Sequence, residues 1–403
     1  MKILALLASA VCGQLFIQDM NLYPWIKPHL KHEAEDDRHK TIGQIITENG
    51  FEFEEHYVVT EDGYELTMHR IKSDGPPVLL QHGLLDCSTQ WVINSADKAP
   101  AFKFARAGFD VWLGNNRGNF FSMSHVNYTS NQKEFWDFDF EQMGLYDQPA
   151  QIGHILEQTG ASKLEAYVGH SEGTTQFFLA NTMMPDFFSS RVKMFVALAP
   201  VVHMEFFGTP VMRWAAQHEE TISHILQKLE IRDIMPRNAF ISTFTGIMCE
   251  YTPHLCVYLM DGIWDYGKTT ITNLARMPDK DAHSQSGAGW RNLVHYGQII
   301  KDNRFQRLDY GAKGNQEHYG QATPPLYDLS KIDIPIAIVH GDIDTASNPK
   351  DVAWLVSEKS GLNTDLVKFE KEVHFAHWSF MMANDMSYVD DITALLKDNY
   401  TIE

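Results

Sequence analysis

The pentapeptide Gly169-His170-Ser171-Glu172-Gly173 is the segment whose residue types and spacing are best suited to chemistry. A serine hydroxyl is a weak nucleophile at neutral pH, and enzymes activate it with a histidine base that a carboxylate holds in place. The pattern Gly-x-Ser-x-Gly is typical of a sharp turn between a strand and a helix that exposes the serine. Such a short pattern also recurs by chance. The alternative is therefore a purely structural turn, and the flanking elements must distinguish between the two interpretations.

The C-terminal part of the chain contains two candidates for each remaining member of a serine triad. A predicted strand at Ile334–His340 is followed by Asp342 and Asp344, and the segment after the last predicted strand contains His374 and His377. The order serine, acid, histidine is the one in which folds with this turn present the three groups. We favour Asp344 because the acid normally lies a few residues past the strand end, and Asp342 is the alternative.

Two backbone N–H groups are predicted to stabilise the oxyanion that forms when the serine attacks. The first belongs to Glu172, where a predicted helix begins and directs its free N–H groups towards the serine. The second belongs to Leu84, in the segment Gln81-His82-Gly83-Leu84-Leu85 that follows a predicted strand from Pro77 to Leu80. Each donor is expected to lower the reaction barrier by about 3 kcal/mol.

The elements that must position these residues alternate between strands and helices. Short apolar runs at Pro77–Gln81, Asp110–Leu113, Leu164–Val168 and Met194–Ala199 predict buried strands, and helix-like segments separate them. This rhythm predicts a mostly parallel central sheet with helices on both faces, which together with the serine turn indicates an α/β-hydrolase fold.

The strand rhythm stops between residues 201 and 325, where Met-, Phe- and Trp-rich helical patterns replace it. We therefore predict a helical cap at 201–325, inserted into a discontinuous core of residues 14–200 and 326–403. One continuous domain with long loops is the alternative.

The N-terminus has the features of a targeting segment. Lys2 precedes an apolar run from Ile3 to Cys12, which predicts a signal peptide at residues 1–13 because the run is too short to span a membrane. The triplets that begin at Asn127 and Asn399 are candidate N-glycosylation sites. These features predict a protein of the secretory pathway, secreted or lysosomal, without a transmembrane segment.

The composition excludes some classes of partner and cofactor. With 403 residues, 44% of them hydrophobic, the chain can bury a large core, and a formal net charge of −19 argues against a nucleic-acid partner. Neither a C-x-x-C nor an H-E-x-x-H pattern is present, so no metal site is predicted.

Several longer stretches resemble the acid lipase family, which includes the gastric and lysosomal acid lipases. The resemblance runs from about His32 to the last helix, and its most specific stretches are 58–64, 82–86, 114–119, 134–138, 146–150 and the serine turn. It implies an α/β-hydrolase core with a helical cap, and it places the acid on Asp344 and the base on His377. In place of the family's H-x-D-F run this chain has His377-Trp378-Ser379-Phe380, and His374 falls outside that run.

The resemblance also implies one disulfide in the cap, and Cys249 and Cys256 occupy that position. The two are close enough in sequence to close a small loop in an oxidising compartment, which leaves Cys87 as a buried thiol. A second departure from the family is Glu172, where the family usually has glutamine. A carboxylate there would oppose the developing negative charge, so we expect activity to rise as the pH falls towards the range in which Glu is protonated.

Together these features predict a serine ester hydrolase that acts on lipid carboxylic esters, such as triacylglycerols or steryl esters, through an acyl-enzyme on Ser171. The resemblance implies no metal or organic cofactor, and it implies a transient contact with a lipid surface when the cap opens. The alternatives are an esterase for shorter acyl esters, a peptidase of the same fold, and a non-enzymatic lipid-binding protein on a hydrolase scaffold. An epoxide hydrolase of the usual form is excluded, because it needs a carboxylate nucleophile at the position of Ser171.

Overall fold

A computed structural model of the chain describes residues 37–208, 210–236, 271–284 and 286–398. The predicted signal peptide, Cys249, Cys256 and the triplet at Asn399 lie outside the described residues. Asn127 is exposed, and Cys87 is buried with its Sγ atom 4.0 Å from the carbonyl oxygen of His283.

Strands and helices alternate along the described chain. The strands are β1 (Phe53–Val59), β2 (Tyr64–Ile71), β3 (Pro77–Gln81), β4 (Asp110–Leu113), β5 (Ser124–His125), β6 (Leu164–His170), β7 (Val192–Leu198), β8 (Asp233–Ile234), β9 (Ala288–Gly289), β10 (Ile336–Gly341) and β11 (Val367–Val373). The helices are α1 (Ile42–Glu48), α2 (Pro100–Arg106), α3 (Phe140–Gln142), α4 (Gln148–Thr159), α5 (Glu172–Met183), α6 (Pro185–Ser189), α7 (Pro210–Gln217), α8 (Glu219–Lys228), α9 (Met277–His283), α10 (Trp290–Asp302), α11 (Gly311–Tyr319), α12 (Pro349–Leu355), α13 (Ser379–Met382) and α14 (Ser387–Lys397).

The central sheet has the strand order β1-β2-β4-β3-β6-β7-β10-β11, and β5 pairs with β2. The pairings among β4, β3, β6, β7, β10 and β11 are parallel, whereas β1, β2 and β5 join by antiparallel pairings. The carboxyl ends of the parallel strands therefore meet at one edge of the sheet, which is where open α/β sheets place their ligands.

Burial of the strands follows their positions in the sheet. Every residue of β3, β6 and β10 is buried, because parallel strands covered by helices on both faces consist of nearly continuous apolar runs. The edge strand β11 alternates between half-buried and exposed residues. Successive side chains serve opposite faces, so that Tyr167 of β6 packs in one core and its neighbours Ala166 and Val168 pack in the other.

Two predicted elements differ in detail from those observed. The helix-like segment before β6 begins with a π-helical turn at Met143–Asp147, and α4 (Gln148–Thr159) is capped at its C-terminus by Gly160, which adopts a left-handed conformation. The interval 201–325 contains helices but also the short antiparallel pair of β8 and β9.

The helices between residues 201 and 325 have two kinds of neighbour. Helices α7, α8 and α10 pack against one another and lie over the serine turn, where their side chains line a cavity. Residues 271–284 instead contact the sheet domain, since Asn273 donates a hydrogen bond to Asn94 and Arg276 donates one to the carbonyl of Ile93. Among the helices that the structure describes, none is long and apolar enough to cross a membrane.

Candidate active site

Ser171 lies in a tight turn between β6 and α5 at the carboxyl edge of the sheet. Its φ of 53° and ψ of −116° are strained for a residue with a side chain, and its N–H donates a hydrogen bond to the carbonyl of Leu198 on β7. A Cβ atom at Gly169 would lie 2.8 Å from the carbonyl carbon of Gly173, and one at Gly173 would lie 2.6 Å from the carbonyl oxygen of Gln81. The two glycines are therefore required for this close packing.

The structure brings Ser171, His377 and Asp344 together in one hydrogen-bonded row. The Nε2 atom of His377 is 2.7 Å from Ser171 Oγ, and Nδ1 is 2.9 Å from Asp344 Oδ2. Asp344 follows β10 and accepts hydrogen bonds from the N–H groups of Ala346 and Ser347, each at 2.8 Å. Because Asp344 can only accept from His377, Nδ1 carries the proton and Nε2 can take one from the serine.

The alternative acid and base form a separate pair. The Nδ1 atom of His374 lies 2.9 Å from Asp342 Oδ2, and the side chain of His374 is 65% exposed. Neither residue lines the cavity that contains Ser171. Asp342 and His374 are thus within reach of each other but not of the serine.

The loop after β3 lies directly against the serine. A Cβ atom at Gly83 would be 2.9 Å from Ser171 Cβ, so only glycine permits this approach. Leu84 lines the cavity beside Ser171, and Leu85 has a φ of 64°. The N–H groups of Leu84 and Glu172 have no hydrogen-bond partner among the described residues, which leaves both available to an oxyanion.

His82 holds this loop in place, a role that the sequence did not reveal. Its Nδ1–H donates to the carbonyl of Gly83 at 2.8 Å, and its Nε2 accepts from the N–H of Asn116 and from Asn119 Nδ2, both at 3.1 Å. Burial lowers the pKa of His82 to about 4, which keeps the imidazole in the neutral form that can accept these bonds.

His170 positions the base from within the serine motif. Its Nε2–H donates to the backbone carbonyl of His377 at 3.0 Å. Burial and the neighbouring His377 hold the pKa of His170 well below its usual value, so the ring remains neutral. The only sequence signal for this role was the position of His170 next to the nucleophile.

Three of the family-like stretches meet in a buried ion network. Arg117 donates from Nε to Asp147 at 2.7 Å and from Nη2 to Asp62 at 2.8 Å, and its guanidinium lies 4.0 Å from the ring centre of Tyr64. Arg117 follows Asn116, which bonds to His82. The network therefore anchors the loop after β4 that in turn supports the predicted oxyanion loop.

Glu172 lies beneath the cap. Its side chain is buried, and Oε1 accepts a hydrogen bond from Asn292 Nδ2 of α10 at 2.9 Å. Burial and the nearby Asp139, which is paired with His295, raise the pKa of Glu172 to about 8. The carboxyl is therefore neutral in acid and at neutral pH, and the transition lies higher than the ordinary Glu range that the sequence suggested.

We expect ester hydrolysis to fall as the pH rises through about 8, and Glu172→Gln to remove this fall. Below that pH the carboxyl is protonated, whereas above it a buried negative charge appears in the residue that supplies the predicted oxyanion donor. A like charge near the forming oxyanion raises the barrier, and burial weakens the screening of that repulsion, so we expect a loss of roughly tenfold or more. The measurement is kcat/KM against pH for both forms.

The control is Glu157→Gln, at an exposed position of α4, which should keep the pH profile of the native chain. If Glu172→Gln showed the same fall in activity at alkaline pH as the native chain, the prediction would be contradicted.

An apolar cavity of about 220 Å³ opens at the serine. One wall consists of catalytic candidates and loop residues at the carboxyl edge of the sheet, and the other consists of side chains from α7, α8 and α10. Among its lining side chains are those of Met204, Phe207, Met212, Ile222, Leu226 and Ile300. Such a cavity suits a hydrocarbon chain held next to a nucleophile. In the described part of the chain, no group of three or more His, Cys, Asp or Glu side chains could hold a metal ion.

Comparison with known proteins identifies the relatives of this chain. Residues 42–95 match the family described as "Partial alpha/beta-hydrolase lipase region", and residues 76–383 match "alpha/beta hydrolase fold". The gastric triacylglycerol lipase of Bos taurus is 36% identical over 332 residues, which are 80% of each chain. The lysosomal acid lipase/cholesteryl ester hydrolase of Homo sapiens is 34% identical over 364 residues, which are 87% of this chain and 89% of that protein.

Among solved structures, the DcsB complex with its substrate analogue aligns with a TM-score of 0.51 at 14% identity. The alignment covers 87% of this chain and 99% of that one, and at this identity it shows the shared fold alone. These matches confirm the fold predicted from the serine turn and its flanking elements.

Proposed function

Because this chain belongs to the acid lipase family of α/β hydrolases, we propose that it hydrolyses lipid carboxylic esters through an acyl-enzyme on Ser171. Its family makes it a hydrolase of the lipase and sterol esterase type. The observation that carries the proposal is the hydrogen-bonded row of Ser171, His377 and Asp344, of which Ser171 and His377 line an apolar cavity.

In the proposed reaction, Ser171 Oγ attacks the ester carbonyl carbon while His377 Nε2 takes the hydroxyl proton. Asp344 stabilises the resulting imidazolium, and the N–H groups of Leu84 and Glu172 bind the oxyanion of the tetrahedral intermediate. His377 then gives the proton to the alcohol, which departs, and the acyl group remains bound to Ser171. A water molecule, deprotonated by His377, attacks the acyl-enzyme and releases the carboxylic acid.

We propose a triacylglycerol or a steryl ester as the substrate. The apolar lining of the cavity supports a hydrocarbon acyl chain, and the two relatives are named for triacylglycerol and cholesteryl ester hydrolysis. An esterase for shorter acyl esters is the alternative within the family's type of reaction. The assembled triad argues against a lipid-binding protein without activity.

A transient contact with a lipid surface is part of the proposal. The exposed apolar side chains of Trp214, Ile225 and Leu229 lie on or directly after α7 and α8, the helices that cover the cavity. We also propose passage through the secretory pathway to a secreted or lysosomal location. The exposed Asn127 triplet and the gastric and lysosomal relatives support this location.

The test is hydrolysis of triolein, cholesteryl oleate and short p-nitrophenyl esters from acid to mildly alkaline pH. We expect turnover of at least one long-chain ester, and labelling of Ser171 by a fluorophosphonate, located by mass spectrometry of the labelled peptide. Turnover of the short esters alone would replace the lipase proposal with the short-chain esterase. An unlabelled serine together with no turnover of any ester would refute the hydrolase proposal.

A further inference from the structure

The cap-side wall of the cavity contains one feature that a hydrocarbon chain does not require. Among the described residues of α7, α8 and α10 that line this wall, Glu219 is the charged one, and it is 6% exposed. Its neighbours on the wall include Ala216, Ile222 and Leu226, which are apolar. Burial of a carboxylate among apolar side chains costs free energy unless another group pairs with it. We therefore expect Glu219 to have a partner and a function in this wall.

The partner of Glu219 lies on the other side of the wall. Lys301 Nζ is 3.4 Å from Glu219 Oε1 and 3.3 Å from Glu220 Oε1, and its side chain is 38% exposed. Lys301 does not line the catalytic cavity but lines a groove of about 480 Å³ on the outer face of the same helices. The ion pair therefore reaches across the wall from one space to the other.

The outer groove differs in chemistry from the catalytic cavity. Its lining includes Arg291, Lys301, Asp302 and Asp309, whereas the catalytic cavity is almost entirely apolar. The two spaces share Glu219 and Val294 as wall residues. At this place a single layer of side chains separates an apolar space from a polar one.

Close packing holds the Glu219 side chain in this position. A Cβ atom at Gly297 of α10 would lie 2.9 Å from Glu219 Cβ, so the first residue of α8 is in tight contact with α10. A glycine at this crossing lets the Glu219 side chain fill the space between the helices. With Lys301 attached from outside, Glu219 has little room to move away from an acyl chain that reaches it.

We propose that Glu219, held by Lys301, closes the catalytic cavity against the outer groove and thereby sets the longest acyl chain that the enzyme accepts. The inference rests on the proposed function, because it assigns the cavity to the acyl group of the ester. A methyl terminus that reaches Glu219 meets a polar carboxyl group linked to Lys301, and it gains nothing from displacing that pair. Removal of the side chain would join the two spaces and admit further methylenes.

The experiment compares kcat/KM for p-nitrophenyl butyrate, octanoate and palmitate between the native enzyme and Glu219→Ala. Each additional buried methylene is worth about fourfold in binding, so we expect the ratio of palmitate to butyrate hydrolysis to rise at least tenfold. Because both esters are assayed in one preparation, a partial loss of folded protein does not alter the ratio.

Two further variants separate this role from a general disturbance. Glu220→Ala removes the other, exposed carboxylate at Lys301 and should leave the ratio within about twofold, since Glu220 does not line the catalytic cavity. Glu219→Gln keeps the volume of the side chain and should also preserve the preference. An unchanged ratio in a Glu219→Ala enzyme that still hydrolyses butyrate would overturn the inference. Lack of ester hydrolysis by the native chain would instead refute the proposed function.

Discussion

Ser171→Ala is expected to lower kcat for ester hydrolysis on the order of a millionfold and to leave the fold intact. The substitution removes only Oγ, which lies 2.7 Å from His377 Nε2, and no covalent intermediate can then form. Alanine fits the space of serine, so we expect circular dichroism and the thermal midpoint to change little. The measurement is turnover of a p-nitrophenyl ester together with fluorophosphonate labelling, both of which should disappear.

The chain supplies an unusual control for this experiment. Ser88 Oγ lies 2.8 Å from His69 Nδ1, so the described chain contains a second serine hydroxyl in contact with a histidine ring. Ser88 and His69 are fully buried and do not line the catalytic cavity. Ser88→Ala should therefore retain activity and lose about 1 kcal/mol of stability. Substantial turnover in Ser171→Ala, or its loss in Ser88→Ala, would show that Ser171 had been assigned the wrong role.

Asp344→Asn is expected to lower kcat by roughly ten-thousandfold while changing KM little. The aspartate accepts the Nδ1 proton of His377 at 2.9 Å, and an asparagine amide in that place can favour the tautomer in which Nε2 is protonated and cannot accept the serine proton. The readout is the split between kcat and KM on a soluble ester. Thermal unfolding of the variant should show little loss of stability, so that unfolded protein does not account for the fall in kcat.

The neighbouring pair provides the matched comparison. Asp342→Asn and His374→Ala alter the same residue types two and three positions away from Asp344 and His377, but the pair that they break is exposed and outside the cavity. Both variants should keep kcat within a few fold of the native value, because exposed ion pairs contribute little. If Asp342→Asn lost as much activity as Asp344→Asn, the acid would have to be reassigned.

The local pattern was sufficient for the elements around the serine. The boundaries of β3 and β4 agree with the apolar runs at Pro77–Gln81 and Asp110–Leu113, since buried parallel strands require such runs and turn residues end them. The helix that begins at Glu172 was also predicted from its local sequence. These features depend on neighbours in sequence, which a linear pattern records.

The partners of the site could not be read in this way. The hydrogen bonds of His82 to the loop after β4, of His170 to the carbonyl of His377 and of Glu172 to Asn292 join residues that are 34 to 207 positions apart. Buried polar side chains take whichever partner the packing brings near, and no local spacing encodes that choice. For the same reason the pKa of Glu172 could be assigned only after its burial was known.

The sequence by itself determined the kind of nucleophile, the order of the candidate acids and bases, and a parallel sheet to hold them, because residue types and short-range periodicity carry these properties. The position past the strand end and the family resemblance favoured Asp344 and His377, but only the tertiary structure shows His377 in contact with Ser171 and Asp344 in contact with His377. Asp342 and Asp344 differ by two positions in sequence, but the turn after β10 directs one carboxylate to the surface and the other to His377. Such a difference of direction arises from the backbone path and from packing across the sheet edge, which no single segment contains.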